Sequence, residues 1–215
     1  MKPCLIHIAL WLVTGLPVGL AEELENAPPG LQALPQGAHG HRAHRLGDRL
    51  FVFGGYGPDA IAFDFTKQKW SEFSPMKVPK VFFGSARIND QIYAIGGNSK
   101  TDEPGVIERF DPDLNKWEIV LKSDSVPKTH LSTTSIGNKI FIFGGFPANA
   151  KNAHVFDVRS GELSAMPPVP NAQPDDHFYY LAALNEKLHV LGGMRFSGKP
   201  RGPLDQHWVW DGESW

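Results

Sequence analysis

Four short apolar runs, each closed by a pair of glycines, punctuate the chain: LFVFGG from Leu50 to Gly55, IYAIGG from Ile92 to Gly97, IFIFGG from Ile140 to Gly145 and LHVLGG from Leu188 to Gly193. Consecutive apolar positions, rather than strict alternation, predict strands covered on both faces. A turn pair stands immediately upstream of each run, Gly47-Asp48, Asn89-Asp90, Gly137-Asn138 and Asn185-Glu186. Three of the four suit a tight hairpin turn. Downstream come FDFTKQKW (Phe63 to Trp70), FDPDLNKW (Phe110 to Trp117), FDVRSGEL (Phe156 to Leu163) and WDGESW (Trp210 to Trp215), so an aromatic-Asp pair closes every unit. The first glycines fall at 54, 96, 144 and 192, giving intervals of 42, 48 and 48 residues. No stretch keeps a 3.6-residue period, so helices are not expected.

Each recurring element of the repeat has a physical reason. Gly54-Gly55, Gly96-Gly97, Gly144-Gly145 and Gly192-Gly193 allow left-handed backbone and close approach where the buried strand stops. Asp64, Asp111, Asp157 and Asp211 can cap the following turn through Asx-type hydrogen bonds. Six residues after its Asp, Trp70 or Trp117 offers a large flat ring to pack between neighbouring sheets; Leu163 takes that place in the third repeat, and Trp215 follows Asp211 by only four residues. The unit reads as strand, turn, buried strand, variable loop, strand, turn, outer strand. Such four-stranded antiparallel units cannot bury both faces alone and stack around an axis as blades.

Hydrophobic run, Gly-Gly, aromatic-Asp and Trp, at this period and over roughly His39 to Trp215, resemble the Kelch family. The resemblance implies an all-β propeller of four-stranded antiparallel blades, with four repeats visible at about 39–78, 79–126, 127–173 and 174–215. Kelch-like propellers generally carry five to seven blades, so the ring is expected to be incomplete or to close as a four-bladed ring through the segment 22–38. In the latter case Gly30 to Pro35 serves as the outer strand of the fourth blade.

Residues 1–21 read as a signal peptide: Lys2 gives a basic start, Cys4 to Leu20 are largely apolar, and Gly19-Leu20-Ala21 place small residues before Glu22. Cleavage after Ala21 predicts a secreted or periplasmic protein without a membrane span. The single cysteine, Cys4, lies inside that segment, and no Asn heads a glycosylation sequon. A mature chain with neither disulfide nor sequon points to bacterial export. The remainder has an ordinary soluble composition, 41% hydrophobic and 20% charged, with 22 Gly and 18 Pro fitting many tight turns. A formal charge of −2 supplies no field for nucleic acid or an anionic membrane.

The resemblance further implies that ligands meet the face formed just after Gly-Gly and just before the innermost strands. The candidates there are Tyr56, Asn98, Phe146 and Arg195, together with His130 and His177. Arg201 joins Arg195 on a long irregular loop, Met194 to Gln206, suited to an anionic group. Neither a Gly-x-Ser-x-Gly, a Walker loop nor a His-Glu-x-x-His occurs, and no His pair has zinc-motif spacing. No catalytic residue, metal or cofactor is therefore assigned. The expected role is a non-catalytic recognition module for a protein or carbohydrate ligand. Its alternatives are an epimerase or mutarotase of an acidic sugar such as sialic acid, which exported Kelch propellers also include, and a fragment of a longer Kelch protein.

Overall fold

The computed structural model describes residues 33–56, 60–98, 105–145, 153–173, 176–195 and 200–215, and of His177 the backbone alone. The chain lays down antiparallel sheets in succession. The first holds β1 (Arg42–Leu46), β2 (Arg49–Phe53), β3 (Ala60–Asp64) and β4 (Lys69–Glu72) in that order. The second repeats it with β5 (Gly84–Ile88), β6 (Gln91–Ile95), β7 (Gly105–Asp111) and β8 (Lys116–Ser123). The third does so with β9 (Leu131–Ile136), β10 (Lys139–Gly144), β11 (Ala153–Asp157) and β12 (Glu162–Ala165). In the fourth repeat β13 (Asp176–His177) precedes the first long strand, β14 (Tyr180–Leu184), which pairs with β15 (Lys187–Leu191). Two short strands, β16 (Met194–Arg195) and β17 (Gly202–Pro203), join β13 in a small sheet, and β18 (His207–Trp210) completes a three-stranded main sheet, β14-β15-β18. The expected closing strand, Gly30 to Pro35, lies partly outside the described residues; Leu34 and Pro35 are not in a strand, and among the described residues the ring of blades is not closed.

The apolar runs are consecutive because each strand feeds two seams. Successive side chains point to opposite faces. In β6, Ile92 and Ala94 pack with Phe51, Phe53 and Phe73 of the first blade. Tyr93 and Ile95 instead join Ile140 and Ile142 of the third. Phe141 and Phe143 in turn meet Leu188 and Val190 of the fourth.

The hairpin and Asp turns form where the repeat places them. Asp64 Oδ1 accepts from the N–H groups of Thr66 (3.0 Å) and Lys67 (2.9 Å), and Asp211 Oδ1 from Glu213 (3.0 Å) and Ser214 (2.9 Å). Asp111 and Asp157 do the same. These donors hold the carboxyls of Asp64, Asp157 and Asp211 below the usual carboxylate range. At the fourth hairpin Asn185 and Glu186 both take positive φ, 50° and 59°, so Glu186 adopts a conformation its side chain disfavours. Gly55 is needed for proximity: a Cβ there would run into the backbone of His39 and His41.

Trp117 is 1% exposed, packed against Phe53 and Phe110 with ring centroids at 5.3 and 5.2 Å. Trp70 departs from the expectation of burial between sheets. It is half-buried, and its aromatic partner among the described residues is Phe63 of its own blade, at 5.1 Å. The reason is direction: Trp117 faces the preceding blade, and no described blade precedes the first. A buried ion pair pins the first linker, with Lys80 Nζ 2.7 Å from Glu108 Oε2 and Glu108 Oε1 accepting from the N–H of Lys77 at 2.7 Å. Burial works against the Lys80 charge, and Glu108 opposes that effect.

Candidate functional site

The first strands of the blades, β1, β5, β9 and β14, face one another. Thr133 Oγ1 donates to the Ser85 carbonyl at 2.7 Å, Ser135 Oγ to the Arg87 carbonyl at 3.0 Å, and the Leu181 N–H to Ser132 Oγ at 3.1 Å. His44 Nε2 lies 2.9 Å from Ser85 Oγ on this inner surface. Burial, with Arg87 and Arg42 nearby, pushes the His44 imidazole down to about 4.

One turn above these strands the chain repeats an uncommon backbone state. Gly40, Phe82, His130 and Phe178 occupy the same repeat position, and all four have positive φ, at 72°, 53°, 55° and 59°. A left-handed aromatic residue is costly, by about 1 kcal/mol or more, and such strain collects at functional sites. The residues link across blades: the Phe82 N–H donates to the Gly40 carbonyl at 3.4 Å, and the His130 N–H to the Phe82 carbonyl at 2.8 Å. Their rings stack as well. Phe82 and His130 lie parallel within 9° at 4.8 Å, while His39 meets Phe82 edge-on at 5.5 Å and Phe178 meets His130 at 5.3 Å. The result is an aromatic ledge spanning successive blades.

Beside the ledge lies a hollow of about 220 Å³, lined by Arg42, Phe82, His130, Ser132, Phe178 and Tyr180. Tyr180 is 73% exposed. Its volume is below the roughly 300 Å³ at which enclosed small-molecule sites begin, so it suits a protruding side chain or single sugar ring. It offers aromatic faces, two hydroxyls, an imidazole and a guanidinium, which together can hold a polar group against flat apolar surface.

The sequence-derived candidates separate on this frame. His130 lies in the ledge, and Tyr56 stacks on His39 at its edge, 60% exposed. Asn98 sits at the equivalent place in the second blade, bridging Val81 as Tyr56 bridges His39. Phe146 lies outside the described residues. The backbone of His177 pairs with Met194, so Met194, and not Arg195, is in register with Tyr56 and Asn98. Arg195 is thereby corrected: one residue further along β16 its side chain turns to Asp176, donating from Nε at 2.6 Å and from Nη2 at 2.8 Å. That carboxylate neutralises the guanidinium and raises its affinity for its proton, so Arg195 is not a free grip for an anionic ligand. Arg201 is exposed on the loop beyond. Phe82 and Phe178 are the additions that sequence reading missed; Gly40, in phase with them, is the signal that could have revealed them.

Comparison with known proteins agrees with this architecture. The model of the Kelch motif matches residues 79–120, the span of the second blade from its linker to its outer strand. The second blade matches the Kelch motif, and the other antiparallel sheets are consistent with Kelch-type propeller blades. Human Kelch-like protein 25 is 29% identical over 178 residues, covering 74% of this chain and 30% of its own length. Human Rab9 effector protein with kelch motifs is 24% identical over 163 residues, 68% of this chain and 44% of the relative. The N-(sulfonatooxy)prop-2-enimidothioate sulfolyase of Thlaspi arvense is 30% identical over 144 residues, 60% of this chain and 40% of the relative. The chain thus spans less than half the length of these relatives. Among the described residues no helix is long and apolar enough to cross a membrane.

Proposed function

We propose that this Kelch module is a recognition scaffold that binds a protein or carbohydrate ligand on the aromatic ledge. The observation that carries the reading is the left-handed row of Phe82, His130 and Phe178, the first two stacked and the third edge-on to His130, beside the Arg42 hollow. Core packing gives no reason to hold aromatic residues in that backbone state, whereas a binding surface does. The ligand's contact group is a single planar or ring-shaped moiety carrying hydrogen-bonding substituents, anionic where it reaches Arg42. Export through residues 1–21 belongs to the same proposal, and those residues lie outside the described ones.

The test is a screen of immobilised glycans and peptides against wild type, a Phe82→Ala/His130→Ala variant and a Leu114→Ala control, Leu114 being exposed on a turn away from the ledge. A ligand bound by wild type and the control but lost from the double variant supports the reading. A ligand kept by the double variant places recognition elsewhere. A relative named as a sulfolyase favours a second reading, in which the module is an enzyme and the His130 imidazole and Arg42 guanidinium lining the same hollow act on an anionic small molecule, an acidic sugar being the class to test. NMR observation of sialic acid anomer exchange, with and without His130→Ala, distinguishes chemistry from binding.

A further inference from the structure

The seam between the third and fourth blades holds a cavity of about 330 Å³, larger than the ledge hollow and lined by different residues. Its origin is visible by comparison with the first seam. There Phe73, whose N–H donates to the Ala60 carbonyl at 3.2 Å, wedges between Phe51 and Phe110 with ring centroids at 5.1 and 4.9 Å. Arg49 closes over the Phe51 ring, its guanidinium carbon 4.8 Å from the centroid. In the later seam each position has a counterpart by register. Met166 donates its N–H to the Ala153 carbonyl at 2.8 Å and replaces Phe73. Phe141 and Lys139, like Phe51 and Arg49, occupy the third and first positions of their strand, and Trp210 pairs with Leu188 as Phe110 pairs with Ile92. Replacing a rigid ring by a slim thioether, and a flat guanidinium lid by an ammonium, leaves space between Phe141 and Trp210. Val155 and Ile136 floor it.

We infer that this seam cavity is a binding site for a small aromatic alcohol. Two aromatic walls and aliphatic floors select a flat apolar ring, and a closed apolar cavity of about 150 Å³ already suffices for benzene, so one substituted ring fits here. At the mouth stand Lys139 and Glu186, exposed and opposite in charge. A hydroxyl can donate to the carboxylate and accept from the ammonium there, whereas a charged group would be repelled by one of the two.

The probe is p-cresol, titrated into the full chain and followed by melting temperature and by tryptophan fluorescence. The expected result is a saturable rise in melting temperature with a fluorescence change. Met166→Phe, which restores the ring found in the first seam, should raise the melting temperature without p-cresol and abolish the response to it. Lys139→Ala/Glu186→Ala, confined to the exposed rim, should weaken binding while leaving the fold intact, and it decides the matter should Met166→Phe not fold. Absence of saturable binding by folded wild type overturns the inference. So does a rim variant with unchanged affinity, or a response lost in Phe82→Ala/His130→Ala, since either would put p-cresol outside the seam.

Discussion

The indole N–H of Trp117 donates to the backbone carbonyl of Ser74 at 2.9 Å, joining the outer strand of one blade to the linker leaving the previous blade. Trp215 repeats this relationship with Pro167 at 3.2 Å, despite its shorter spacing from the turn Asp. Trp70 has the same position in the first blade, but its buried Nε1 finds no hydrogen-bond partner among the described residues. The tryptophan is therefore a fastener between blades, complete only where a preceding linker carbonyl is present.

Trp117→Ala should cost about 3–5 kcal/mol, the usual range for emptying a large aromatic site. Trp117→Phe keeps a ring but strands the Ser74 carbonyl, for a loss of about 1–2 kcal/mol. Leu114→Ala, on an exposed turn, should stay within about 0.5 kcal/mol. Chemical denaturation of the three variants checks the order.

Acid should loosen the inner strands through His44. Its folded value, about 4, lies below its ordinary 6.5, so between these values the unfolded chain binds the proton that the folded chain refuses. Stability is then present above about pH 6.5 and falls as pH drops toward 4, by on the order of 2–3 kcal/mol. His154, also lowered by burial, adds to the decline with the same sign. His44→Phe should flatten the stability profile measured across this window, and an unchanged slope would reject the assignment.

Asp176 is 1% exposed, and its pairing with Arg195 organises the small sheet of the fourth repeat. Burial and the Asp176 carboxylate push the neighbouring Tyr179 hydroxyl well above its usual range. Asp176→Ala should lower the melting temperature by about 5 °C or more, because it leaves Arg195 without its counter-ion in a partly enclosed place. Arg195→Ala should lower it as well, yet leave any ligand of the ledge bound. Scanning calorimetry together with the ligand screen separates these roles.

Gly96 and Gly137 share nearly the same backbone, φ 59° and 56°, but not the same surroundings. A Cβ on Gly96 would collide with the Pro127 carbonyl, whereas one on Gly137 meets open space. Gly137→Ala should cost about 1 kcal/mol from conformation alone. Gly96→Ala should exceed about 2 kcal/mol, since the linker backbone must move aside. Parallel urea titrations provide the comparison.

Much of the fold was legible because its determinants are local. The runs ending in Gly-Gly became β2, β6, β10 and β15, and the four turn aspartates accept the hydrogen bonds their spacing suggested. The site was less legible. Phe82, His130 and Phe178 carry no residue-type signal for left-handed backbone, which local chemistry favours for Gly and Asn; at Phe82 and His130 hydrogen bonds between blades accompany it. Arg195 was misplaced by a single residue, and in a strand one residue reverses the side of the sheet. The different fates of Trp70 and Trp117 follow from having a neighbour, which no single repeat encodes.

The linked backbone of the ledge has a mechanical consequence. Gly40, Phe82 and His130 form a relay of amides passing from one blade to the next, so a ligand lying across the stacked rings presses on a seam and not on a single loop. Occupancy would damp the breathing of adjacent blades against each other, and slowed amide exchange at His130 and Phe82 would register the bound state even where no atom moves.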